Sequence, residues 1–87
     1  MVGICGTEEE SDVLVKVSLG GDEIVVNLTS RNKILFGRHI EKAVKESCKA
    51  LNINGAVVEV KDFGALDFVI RARTKTAIKD ALREVEL

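Results

Sequence analysis

The chain has no proline, tryptophan or tyrosine, and its three phenylalanines are its only aromatic residues. With aromatics at 3%, stacking platforms for nucleic-acid bases are nearly excluded. Neither sign of charge predominates: 13 basic residues meet 14 acidic ones, for a net charge of -1. That balance argues against nucleic-acid binding driven by bulk charge. One histidine and two cysteines, Cys5 and Cys48, cannot complete a zinc site, and there is no Cys-x-x-Cys pair. Two free thiols in a reducing compartment are the plain reading. The N-terminus has no basic region followed by a long apolar run, so no secretory signal is expected. No segment approaches the ~20 apolar residues that span a bilayer. The expectation is a cytoplasmic chain with no nucleic-acid and no membrane partner.

What is present is an ordinary globular composition, 46% hydrophobic and 31% charged over 87 residues, which fits one domain. A domain of this size buries roughly 60–65% of its unfolded surface. Its core is thin and leaves little room for a deep catalytic cleft, so a carrier or interaction module is favoured over an enzyme.

The hydrophobic pattern divides the chain into elements. Residues 1–9 read as a mobile, glycine-punctuated arm. Val13, Val15 and Val17 fall on one face, with Asp12, Lys16 and Ser18 on the other, which predicts a strand. Gly20-Gly21-Asp22 supplies a turn, and Glu23 to Leu28 reads as the second strand of a hairpin. Thr29, Ser30, Arg31 and Asn32 then offer candidate helix caps. Phe36, Ile40, Ala43, Val44, Cys48 and Leu51 recur at three- and four-residue steps, one stripe of a helix. Gly37 within it suggests close packing on a sheet. Ala56, Val58 and Val60 predict a third strand. Asp62-Phe63-Gly64 predicts a turn, and alternation of Leu66, Phe68, Ile70 and Ala72 predicts a fourth strand. Thr74 is placed to cap a last helix striped by Ile78, Ala81, Leu82 and Val85. The predicted fold class is α+β, a two-layer β-β-α-β-β-α sandwich. Its sheet is four-stranded and mainly antiparallel, with both helices on one face.

The chemistry of the side chains is sparse. No nucleophilic triad, phosphate loop or His-x-x-x-His pair is present, and His39 reads as a half-exposed helical residue. The Asp-Ser-Leu triplet of helical carrier proteins is missing as well. Three features stand out. The acidic run Glu8-Glu9-Glu10-Ser11-Asp12 reads first as a solvated tail. Asp62-Phe63-Gly64-Ala65-Leu66-Asp67 reads first as a hairpin turn. Arg71 and Arg73, two apart on a predicted strand, share a face; they suit either solvent or a phosphate or acidic partner.

Together these segments resemble the acyl-carrier (gamma) subunits of citrate lyases. Gly64-Ala65-Leu66-Asp67-Phe68-Val69-Ile70-Arg71-Ala72-Arg73 is similar to that family's Gly-Ala-Leu-(Asp/Glu)-Cys-x-x-Arg-Ala-Arg segment. Phe36-Gly37 with Ile40 resembles its Gln-Phe-Gly-x-x-Ile helix start. Gly6-Thr7, Glu9 and Asp12-Val13 resemble its N-terminal Gly-Thr-Leu-Glu-Ser-x-Asp-Val. The three blocks keep their order and spacing across most of the chain. Asp62-Phe63-Gly64-Ala65 fits the related malonate decarboxylase carriers too.

The resemblance implies a non-catalytic carrier of acetyl and citryl thioesters during citrate cleavage to oxaloacetate and acetate. It implies phosphoribosyl-dephospho-CoA held on a serine through a phosphodiester. The implied partners are an acyl-transferring alpha subunit, a citryl-cleaving beta subunit and a prosthetic-group transferase. Counted without gaps, the modified serine falls on Glu10, which cannot form that linkage, and Ser11 is the adjacent hydroxyl. Either Ser11 bears the group, with Arg71 and Arg73 as further candidate contacts to it, or the chain is an unmodified structural or regulatory relative that binds the same partners.

Overall fold

β-branched residues at every second position form the sheet, and apolar residues at helical spacing cover it. The computed structural model describes residues 1–31 and 33–83. The elements are β1 (Val2–Gly6), β2 (Val13–Leu19), β3 (Ile24–Ser30), α1 (Lys33–Ala50), β4 (Ala56–Asp62) and α2 (Asp67–Arg83). The strands lie in the order β1-β2-β4-β3. β1 pairs with β2, and β2 with β4, in antiparallel register, while β3 runs parallel to β4.

One face of the sheet is buried. Val15 lies opposite Val60 and Val17 opposite Val58, and all four are at most 1% exposed. Their sequence neighbours Lys16, Glu59 and Lys61 are on the solvated face, as strand alternation requires. The two helices press their apolar stripes onto the buried face. Ile40, Ala43, Val44 and Cys48 from α1 and Ile70, Ala77 and Ile78 from α2 complete a single core. Full burial of a valine or isoleucine side chain contributes roughly 1.5–3 kcal/mol. The α+β two-layer class, the mainly antiparallel four-stranded sheet and the shared helix face are therefore as the sequence predicts.

The order of elements differs from the prediction in three places. Residues 2–6, expected in a mobile arm, form the edge strand β1. Gly3 permits this: a β-carbon there would collide with the Ala77 carbonyl oxygen and the Ala81 amide, so α2 packs directly on the strand backbone. The predicted β2–β3 hairpin does not form, because β4 inserts between those strands. Chain length through α1 allows a parallel β3–α1–β4 crossover, and the fully buried alternation of Ala56, Val58 and Val60 suits a central strand.

The predicted fourth strand over 66–72 is instead the start of α2. The alternation there is real, but Ile70, Thr74, Ala77, Ile78 and Ala81 also fit a helical stripe, and that stripe is the one buried. Phe68 is left 69% exposed. Amides of Val69 and Ile70 donate to the Leu66 carbonyl at 3.0 and 3.1 Å, which opens the helix. Asp67 complements the dipole in its first turn. Thr74 lies inside the helix, its hydroxyl donating to the Ile70 carbonyl at 2.8 Å. Among the expected caps of α1, Asn32 lies outside the described residues, as does Val85 of the second stripe.

At Gly37 a β-carbon would meet Lys33 Cγ at 3.4 Å and Leu28 Cδ2 at 3.8 Å, ordinary contacts, so packing does not require glycine there. The two glycines should respond oppositely. Gly3→Ala should lower unfolding stability by roughly 1–3 kcal/mol by forcing strand and helix apart. Gly37→Ala should raise it by about 0.5–1 kcal/mol. Urea unfolding midpoints of the two variants would check both signs.

Candidate functional site

The turn between β1 and β2 is held from both ends. The Thr7 hydroxyl accepts from the Glu9 amide at 3.2 Å and donates to Asp12 Oδ2 at 2.7 Å. Asp12 Oδ1 accepts from the Val13 amide at 2.8 Å. Arg73 reaches over from α2 and donates through Nε to Oδ1 at 3.1 Å and through Nη2 to Oδ2 at 3.0 Å. This two-pronged guanidinium–carboxylate contact fixes direction as well as distance. Hydrogen bonds from Thr7 and Val13, together with Arg73, hold the Asp12 carboxyl down at about 2, from an ordinary 3.8.

A second segment closes on the same turn. The Ser11 amide donates to the Phe63 carbonyl at 2.8 Å, and the Phe63 amide donates to the Asp12 carbonyl at 3.0 Å. Ser11 sits at φ +65°, a left-handed conformation that few non-glycine residues adopt. The residue is exposed, with Glu8, Glu9 and Glu10 beside it in the turn. Phe63 itself is set by Asp62, whose Oδ1 accepts from the amides of Gly64 and Ala65 at 3.2 and 3.0 Å. Asp62 Oδ2 accepts from the Ser30 hydroxyl at 3.1 Å. Gly64 takes φ +92°, the turn conformation that glycine adopts without steric penalty.

Between these pieces lies an open cavity of about 380 Å³, lined by Glu8, Glu10, Ser11, Ser30, Arg31, Asp62, Phe63 and Gly64. Asp62 and Gly64 also border a second groove of about 380 Å³, whose walls include Phe36, His39, Leu66 and Ile70. Thus Ser11, the candidate attachment residue, and Glu10, the ungapped family position, share one cavity.

Arg71 and Arg73 do not lie side by side as a strand would place them. On a helix they diverge by about 200°. Arg73 holds Asp12, whereas Arg71 bonds Asp67 at 2.6 Å and Glu46 of α1 at 3.1 Å. Arg31 and the backbone of Phe63 are parts of the site that the sequence reading missed. Only the pairing of β3 with β4, Ser30 opposite Asp62, brings Arg31 there, and no local pattern encodes that pairing.

Cys5 lies half-buried against Arg73, whose Nη1 approaches its Sγ at 3.8 Å, while Cys48 is buried in the core. Both are free, and burial pushes the Cys48 thiol up, away from thiolate chemistry. Among the described residues, no cluster of histidine, cysteine and carboxylate side chains could hold a metal ion. No helix there is long and apolar enough to cross a membrane.

The lowered Asp12 value ties stability to pH. A depressed carboxyl stabilises the fold above its unfolded value near 3.8 and loses that contribution as pH falls through about 2. Asp12→Asn should cost about 1 kcal/mol at neutral pH, a figure kept small because Arg73 is partly solvated. The difference between the two proteins should vanish as pH drops from about 4 to about 2. Thermal unfolding measured across that range would check it.

Comparison with known proteins bears on the family and the fold. The profile of the family described as malonate decarboxylase delta subunit (MdcD) matches residues 2–81. The citrate lyase acyl carrier protein of Oenococcus oeni is 43% identical over 81 residues, covering 93% of this chain and 84% of that protein. The protein of the same name from Clostridium perfringens is 43% identical over 76 residues, covering 86% of this chain and 75% of that one. In three dimensions the fold resembles a chain of a Pseudomonas malonate decarboxylase hetero-tetramer solved with malonate. That match has a TM-score of 0.61 at 16% identity and covers 92% of this chain and 82% of the other. From the length and identity of these matches, the chain belongs to the citrate lyase acyl carrier protein family.

Proposed function

We propose that this chain is the acyl carrier subunit of a citrate lyase and that Ser11 is its attachment residue. The observation that carries the reading is the placement of Ser11. It is an exposed residue on a turn pinned by Asp12 and Phe63, and it lines a cavity together with Arg31. A serine hydroxyl can form the phosphodiester that this family's group requires, and the neighbouring Glu10 cannot. An exposed serine in a cavity that an arginine also lines fits phosphoribosyl-dephospho-CoA, which would supply a terminal thiol for acetyl and citryl thioesters.

The residues of this chain would then do mechanical work rather than chemistry. The Asp12–Arg73 pair and the Phe63 backbone hold the attachment point on the body of the domain. A tether from that point raises the effective concentration of its thioester at each active site it can reach. The partners in this reading are an acyl-transferring alpha subunit, a citryl-cleaving beta subunit and the prosthetic-group transferase, all in the cytoplasm. The malonate decarboxylase neighbour comes from a hetero-tetramer, which supports work within a complex. Arg73 acts on the attachment turn through Asp12, and Arg71 ties α2 to α1.

Glu10 at the ungapped attachment position favours a second reading, an unmodified relative that docks to the same subunits without a load. The chain produced with its transferase and lyase subunits should gain the mass of the CoA-like group, mapped to Ser11 by peptide sequencing. Ser11→Ala should abolish the gain and Glu10→Gln should retain it. A wild-type chain that never gains mass would favour the unmodified relative.

A further inference from the structure

The cavity beside Ser11 needs a counter-charge if a phosphodiester is to sit at its mouth, and the arginines singled out by sequence are already committed. Arg73 holds Asp12, and Arg71 holds Asp67 and Glu46. Arg31 follows the last residue of β3, and parallel pairing of Ser30 with Asp62 brings it to the end of the sheet where Phe63 meets the turn. It lines the cavity together with Ser11 and makes no ion pair with the described residues.

The carboxylates of the same cavity are less opposed to an anion than their number suggests. Asp62 already accepts from the Ser30 hydroxyl and two amides. Glu8 and Glu10 are exposed, so solvent and salt screen their repulsion.

Building on the proposed attachment at Ser11, we propose that Arg31 is the phosphate-recognition residue of this carrier, receiving the phosphodiester between Ser11 and its tether. The guanidinium offers paired donors to two phosphate oxygens. Phe63, in the same wall, limits how far the phosphate can swing. Arg31 thereby takes the phosphate contact for which spacing and guanidinium chemistry had made Arg71 and Arg73 candidates.

The test uses the full chain with its transferase, before and after tether attachment. Attachment should move the Arg31 side-chain Nε–H resonance, while that of Arg38, exposed on α1 and bordering a different hollow, stays in place. Arg31→Gln should slow tether attachment, followed by intact mass, roughly tenfold, the effect of losing one charge-assisted hydrogen bond. Arg31→Lys should recover part of that rate and Arg38→Gln should leave it unchanged. A wild-type chain that gains the tether mass while the Arg31 resonance stays fixed would overturn the assignment, as would an Arg31→Gln chain loaded at the wild-type rate. If Arg31→Gln fails to fold, the wild-type resonance decides. A wild-type chain with no tether mass removes the attachment at Ser11 and this inference with it, a result distinct from a loaded chain with an indifferent Arg31.

Discussion

The Asp12 carboxylate accepts four hydrogen bonds, from Thr7, the Val13 amide and two nitrogens of Arg73, and through them it joins the β1–β2 turn to α2. The contact depends on distance elsewhere. Arg73 can reach Asp12 because α2 lies against β1, and α2 lies there because Gly3 presents no side chain between them. Asp80 of the same helix accepts from the Ile4 amide at 3.2 Å, covering a donor on the sheet's edge. The path from Gly3 through α2 and Arg73 to Asp12 ends at Ser11, one residue before the carboxylate.

The same network accounts for motifs that sequence comparison can only match. At Gly6, φ is +104° and a β-carbon would strike the Val13 carbonyl oxygen, so glycine is the residue that lets the chain leave β1 and turn. Thr7 and Asp12 hold the turn, Asp62 to Ala65 close on it, and Arg73 clamps it. Two stretches far apart in the chain, residues 6–12 and 62–73, meet at one end of the sheet.

How much could be read beforehand differs by element. The buried faces of β2, β4 and α1 were legible because valines at period two and a clean three-four stripe admit one structure each. β1 was not, since a strand with two glycines and only five residues looks like a loop until a helix is laid on it. The beginning of α2 was misread because Leu66, Phe68, Ile70 and Ala72 fit period two, whereas of these four only Ile70 lies on the buried helical stripe that runs on through Thr74, Ala77 and Ile78; the choice falls to tertiary burial, which a short window does not contain. At the site, the Glu10–Ser11 pair came from the family resemblance, because local pattern alone reads the acidic run as a solvated tail. The approach of Phe63 and Arg31 was not, because it requires β4 to lie between β2 and β3.

The Ser11 amide bonded to Phe63 has a consequence for how a carrier of this build could serve two enzymes. An attachment point on a loose tail would wander with the tail. With the attachment proposed at Ser11, the serine, fastened to two strands, would behave as the foot of a crane bolted to its deck. The radius swept is that of the boom alone, and any pair of catalytic pockets served from one berth must fall within that circle. Pockets farther apart than this require the whole domain to change berths between half-reactions.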